Sequence, residues 1–161
     1  LLTGAGVEAI VDVRRFPGSR HNEAAARGEV PGLASEWGIA YRHEARLGGR
    51  RRLTADEDAR SPDTWWQVDA FRAYAAWTRT PEFRAAMAEL ADDARVHRTA
   101  VMCSEAVWWR CHRRMISDVA VLVYGLPVEH LMHDGRRVEH RVSEGARLTH
   151  DGVVWDADPA A

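Results

Sequence analysis

Two cysteines eight positions apart, Cys103 and Cys111, carry the most versatile chemistry in the chain. Cys103 is followed by Ser104 and Glu105, and Cys111 is framed by Arg110, His112 and Arg113. A thiol at a strand end, beside a helix N-terminus and several arginines, is stabilised as its thiolate, the form that attacks electrophiles. Glu105 and His112 are the groups that would accept or return protons there. Cys111 also reads as a small core residue, because it begins the apolar stripe Cys111, Met115, Val119, Leu122 and Val123. The spacing further allows the two sulfurs to meet in a reversible disulfide.

Arginines surround these thiols in the sequence pattern. Arg14 and Arg15 follow the first apolar strand, Arg20 lies in the loop after it, and Arg50 and Arg51 follow Gly48 and Gly49. Arg110 and Arg113 fall in the expected first turn after the cysteine segment, where free amides already carry positive charge. Helix chemistry favours Asp or Glu at such a turn, so the conflict resolves if an anion binds, with phosphate first and carboxylate second. The alternative is a structural network in which Glu105, Asp12 or Asp118 neutralises the arginines. Ser104 and Cys111 complete the expected substrate-contacting set.

The elements that must position these groups follow from periodicity. Val7–Val13 is β-branched and almost wholly apolar, as in a strand covered on both faces. A short helix is expected between about His21 and Glu36, a strand at Ile39–His43, and a long functional or moving loop from Leu47 to Asp63. Phe71 to Thr78 is a short amphipathic helix. Thr80 caps a longer one that begins at Pro81 and carries the stripe Phe83, Ala86, Met87, Leu90, Ala91 and Ala94. Thr99–Cys103 is a strand, Cys111 to Gly125 a helix, Val128–Met132 a further strand, and Arg147–Trp155 a hairpin turning at Asp151-Gly152. Alternating strands and helices define an α/β fold, a Rossmann-like three-layer sandwich with a mainly parallel sheet and a small C-terminal hairpin. Ligands of such sheets bind beyond the carboxyl ends of the strands, where Arg14, Arg15, Cys103, Ser104 and Glu105 emerge.

Composition narrows the chemistry. All 22 basic residues are arginine, which removes Schiff-base and phosphate-loop lysines from consideration. A net charge of -2 gives no global attraction to nucleic acid or membrane, so an anion partner must be recognised locally. No apolar run approaches the ~20 residues of a membrane span, and two cysteines fit a reduced, cytoplasmic compartment. At 161 residues the chain fits one domain. Ligand types for a metal exist in Cys103, Cys111, His112, His130 and His133, but without a paired Cys-x-x-Cys signature no metal or cofactor is expected. Trp65-Trp66 and Trp108-Trp109 flank the arginine clusters and would either stack on a planar substrate or pack as lids.

The chain resembles the family of domain of unknown function 488 (DUF488). The resemblance is carried by D-V-R-R-F-P-G-S-R at Asp12–Arg20, L-G-G-R-R at Leu47–Arg51, F-R-A-Y-A at Phe71–Ala75, T-P-E-F at Thr80–Phe83, M-C-S-E-A-V-W-W-R-C-H-R at Met102–Arg113 and the tail His140–Trp155. It implies the same α/β fold and site location but no reaction, because the family has none assigned. The resemblance also implies an opening strand with a Gly-His-Ser-like turn that is absent here, so the chain is expected to be a truncated member. Trp108 stands where the family commonly has proline, which bears on where the next helix starts. The resulting expectation is an enzyme acting on an anionic small molecule, nucleotide or nucleic acid, with Cys103 as nucleophile or redox thiol. The rival is a non-catalytic binding module with structural cysteines. Oligomeric state is not encoded legibly.

Overall fold

The computed structural model describes residues 1–18, 23–26 and 28–156. Its centre is a three-stranded parallel sheet of β1 (Ala9–Asp12), β2 (Ala40–His43) and β3 (Thr99–Met102), in the order β2-β1-β3. β1 is central because it is the most apolar of the three, and its side chains alternate between two separate cores. Ile10 packs with Ala34 and Ile39 on one face, beneath α1 (Glu29–Glu36). Val11 and Val13 face the larger core, built from α3 (Asp69–Trp77), α4 (Pro81–Val96) and α5 (Arg113–Tyr124). The period-two alternation of a strand thus gives helices on both faces of an α/β sheet.

Local signals fix the helices. Thr80 Oγ1 accepts the Phe83 N–H at 3.3 Å with Pro81 in the first turn, so α4 starts where the cap and proline place it. Gly125, with φ 63°, ends α5 in the left-handed region that an L side chain disfavours. The loop from Leu47 to Asp63 contains a short helix, α2 (Ala55–Ala59), closed by a reciprocal capping box between Thr54 and Glu57. Five residues are too few to show an apolar period, which is why the sequence pattern reads as loop.

The strand expected at Val128–Met132 does not extend the parallel sheet. As β4 (Glu129–Leu131) it pairs antiparallel with β5 (Arg137–Glu139), because the turn at Asp134-Gly135 returns the chain directly onto it. β6 (Ala146–Thr149) and β7 (Gly152–Trp155) form the C-terminal hairpin, in the expected place. Trp155 is wholly buried: its backbone N–H donates to Asp63 Oδ1 at 3.1 Å and its indole N–H to Asp118 Oδ2 at 2.9 Å. Among the described residues no helix is long and apolar enough to cross a membrane.

Candidate functional site

The carboxyl end of β3 delivers Cys103, and the chain then makes a single 3-10 turn at Trp108–Arg110 before α5 begins at Arg113. Helix α5 therefore starts later than the sequence pattern indicates. Trp108, Trp109 and Arg110 form the 3-10 turn, and Cys111 is extended at φ −134° and ψ 153°. Cys111 is thus buried from a bend ahead of α5, rather than from the stripe of the helix itself. Arg110 is exposed, outside the first turn of α5, and forms no ion pair among the described residues.

The bend brings Cys103 Sγ to 2.8 Å from Cys111 Sγ, with both cysteines free. Two backbone amides point at the sulfurs: Glu105 N–H donates to Cys103 Sγ at 3.3 Å and Arg113 N–H to Cys111 Sγ at 3.4 Å. His112 Nδ1 lies 3.5 Å from Cys111 Sγ. The hydrogen bond from Cys103 lowers the Cys111 thiol most, with His112 and the Arg113 amide adding to it against the effect of burial. The same hydrogen bond, together with burial, raises Cys103. The contacts of His112 and the Arg113 amide thus favour a thiolate on Cys111, to which a Cys103 S–H is placed to donate.

The Gly48-Gly49 loop runs between Arg15 and His112, the neighbour of this pair. A side chain on Gly48 would place its Cβ 2.8 Å from Arg15 Cα, and one on Gly49 would sit 3.0 Å from His112 Nδ1. The two glycines let the loop pass between the imidazole and the first arginine. Beyond them lies an open cleft of about 800 Å³ whose lining includes Arg15, Phe16, Arg50, Arg51, Arg52 and Trp77, with one carboxylate, that of Glu57. Arg15 Nη1 donates to the Arg50 carbonyl at 2.7 Å. Arg51 stacks its guanidinium 3.7 Å from the centre of the Trp77 ring and donates to the carbonyls of Gly48, Ala45 and Arg46. Burial first, then the charge of Arg15, lowers the Arg51 pKa. None of Arg15, Arg50, Arg51 and Arg52 has a carboxylate partner among the described residues, whereas Arg14, Arg42, Arg46, Arg72 and Arg79 all do.

Arg14 belongs to a different structure. It is buried, its Nε and Nη2 bind the Asp12 carboxylate, and its Nη1 donates to the Ala25 carbonyl. Tyr41 adds a hydroxyl hydrogen bond to Asp12 at 2.8 Å. Burial alone would raise the Asp12 carboxyl, but hydrogen bonds from Arg14 and Tyr41 outweigh it and hold the group below its ordinary range. Arg14 is thus neutralised internally, the structural network that the sequence left open.

The remaining expected residues divide similarly. Glu105 contributes its backbone, whose carbonyl accepts from Arg113 Nη2 at 2.5 Å, while the residue itself is exposed. Ser104 is exposed. Arg20 lies outside the described residues. Sequence reasoning passed over Tyr74, whose ring packs 5.0 Å from that of His112 and whose hydroxyl donates to the Leu47 carbonyl at 2.6 Å. Its position on the apolar stripe of α3 disguised a residue that carries the glycine loop. Arg52 was missed too, although it continues the arginine run.

Cys103, Cys111 and His112 each offer one donor atom, all within 4.8 Å of one another, so they are the residues that could hold a thiophilic metal ion. The Arg113 charge beside them opposes a cation.

Fold and geometry together define an α/β protein with paired thiols at the end of a parallel strand. The chain belongs to the family described as Domain of unknown function DUF488, whose model matches residues 1–120. That match covers the sheet, the glycine loop and both cysteines, and it stops before the tail at His140–Trp155. No curated protein and no solved structure matches the chain.

Proposed function

We propose that this protein is a thiol-dependent enzyme acting on an anionic, phosphate-bearing substrate, a nucleotide among the candidates. One observation carries the reading. Four arginines with no carboxylate partner among the described residues line a cleft, and the Gly48-Gly49 loop runs from one of them, Arg15, to His112, beside two sulfurs 2.8 Å apart. Gathering like charges is unfavourable, and an anion in the cleft relieves it. Phe16, exposed at the rim, and Trp77 supply apolar surface for the uncharged part of the substrate.

Each sulfur accepts one backbone amide, and Cys111 is the better nucleophile on geometry because it lies 3.5 Å from His112 Nδ1, with Cys103 as the neighbouring proton donor. The Cys111 thiolate attacks an electrophilic centre of the bound substrate and the leaving group departs with its electron pair. His112 or the Cys103 thiol supplies the proton.

The test is covalent trapping. Phosphorylated compounds would be screened for thermal stabilisation, and the Cys103→Ser and Cys111→Ser proteins would be incubated with those that bind. The reading requires that an adduct form on Cys111 and disappear in Cys111→Ser while binding persists. If ligands bind equally to all three proteins and no adduct or turnover appears, the arginine cleft is a binding module and the cysteines are structural.

A further inference from the structure

A second cavity, of about 460 Å³, shares no residue with the arginine cleft. Its walls are the β3 residues Val101 and Met102, the α5 residues Ile116 and Ala120, and the segment leading through β4. Most of this lining is apolar, yet Thr99, Arg113, Ser117, Glu129, His130 and His133 interrupt it.

His130 ends a buried relay. Asp118 Oδ1 lies 2.8 Å from His140 Nε2, and His140 Nδ1 lies 2.9 Å from His130 Nε2. A carboxylate only accepts, so a neutral His140 carries its proton on Nε2, and its Nδ1 then accepts from the His130 Nε2–H. The other nitrogen of His130, Nδ1, is then an acceptor, and it has no partner among the described residues. Trp108 stacks on His130 with ring centres 3.7 Å apart and planes 1° from parallel, which fixes the orientation of that nitrogen. Burial, followed by His140 and Arg113, brings the His130 pKa down to about 4, so the ring is neutral at neutral pH. Arg113 contributes a buried Nε–H that also lacks a partner. An acceptor and a cationic side chain with one unmatched buried N–H thus both belong to residues that line one largely apolar cavity.

We propose that this cavity binds a planar aromatic acid, with its ring body against the β3–α5 wall, its acid group on Arg113 and an N–H or O–H donated to His130 Nδ1. The volume suits a one- or two-ring molecule. This site goes beyond the arginine cleft and stands whether or not the thiols react.

Two fluorescent probes test it on the folded protein. The first, 5-aminonaphthalene-1-sulfonate, has a planar two-ring body, a sulfonate and N–H groups. The second, naphthalene-1-sulfonate, lacks the N–H. The expected result is saturable one-to-one binding of both, with the first roughly 5-fold tighter, the value of one hydrogen bond of about 1 kcal/mol. His130→Phe, which keeps a stacking ring, should remove that difference, and Ala120→Trp should fill the cavity and abolish binding. Where a variant does not fold cooperatively, the comparison of the two probes in the unaltered protein still decides. Equal affinity for the two probes, binding without saturation, or displacement by inorganic phosphate would each overturn the proposal.

Discussion

Gly48 runs so close to Arg15 that a Cβ on the glycine would lie 2.8 Å from both the Cα and the Cβ of the arginine. The obstacle includes backbone, so no side-chain rotation relieves it. Gly48→Ala is expected to destabilise the fold by about 1–3 kcal/mol, the usual range for overpacking. It should also weaken phosphate-ligand binding, because Arg15 must shift. Urea denaturation and ligand titration of the variant measure both effects. An alanine with unaltered stability would mean that the loop and β1 are not in contact.

The sulfur pair predicts a clean oxidation. Mild treatment with diamide should join Cys103 and Cys111 within one molecule, with loss of two hydrogens and both protons leaving the thiols as the diazene is reduced. Mass spectrometry of the intact and digested protein reads this directly. Either cysteine-to-serine change should abolish it. Dimers linked by disulfides in place of the internal bond would contradict the 2.8 Å approach.

Asp12 is expected to dominate the acid side of the stability profile. Its folded-state pKa lies below the unfolded value of about 3.9, so the carboxylate contributes stability above that value and loses it as pH falls through the lower, folded one. Asp12→Asn leaves the buried Arg14 guanidinium without its counter-charge and should cost about 3–5 kcal/mol at neutral pH. The difference between the two proteins should narrow below pH 4. A difference that is constant with pH would exclude the ion pair as its cause.

Trp155→Phe removes one hydrogen bond to the buried Asp118 while keeping an aromatic ring. The expected loss is about 1.5–3 kcal/mol, typical for a bond to a charged group. Trp155→Leu should cost more, because it also leaves a void in the larger core. Equilibrium unfolding of the two variants separates the polar and apolar contributions.

Much of this architecture was legible in the sequence because local rules govern it. Thr80, Pro81 and Gly125 mark helix ends by cap and backbone chemistry, and the apolar run through Ile10 and Val11 marks the central strand. The site was legible only in part, since the sequence shows charges but not their partners. Arg14 and Arg15 are neighbours of one type, yet Arg14 turns inward to Asp12 and Arg15 outward to the cleft, a difference set by strand alternation beyond the end of β1. Cys111 was assigned to a helix face because the stripe from Met115 onward extrapolates back to it. The 3-10 turn that breaks this stripe is too short to show a period. The antiparallel return of β4 was hidden for a similar reason, because a three-residue strand does not state which neighbour it will join.

Trp155 joins Asp63 and Asp118 through two different atoms, and the second of these lies on the helix that begins just after Cys111. During synthesis the thiol segment leaves the ribosome well before Trp155 does. Until then Asp118, within reach of His140 and the Ser143 amide, lacks the indole N–H, and Asp63 lacks the backbone amide of the same residue. Closure of the hairpin therefore ties the end of the long loop at Asp63 to α5, so one late residue joins two elements made much earlier.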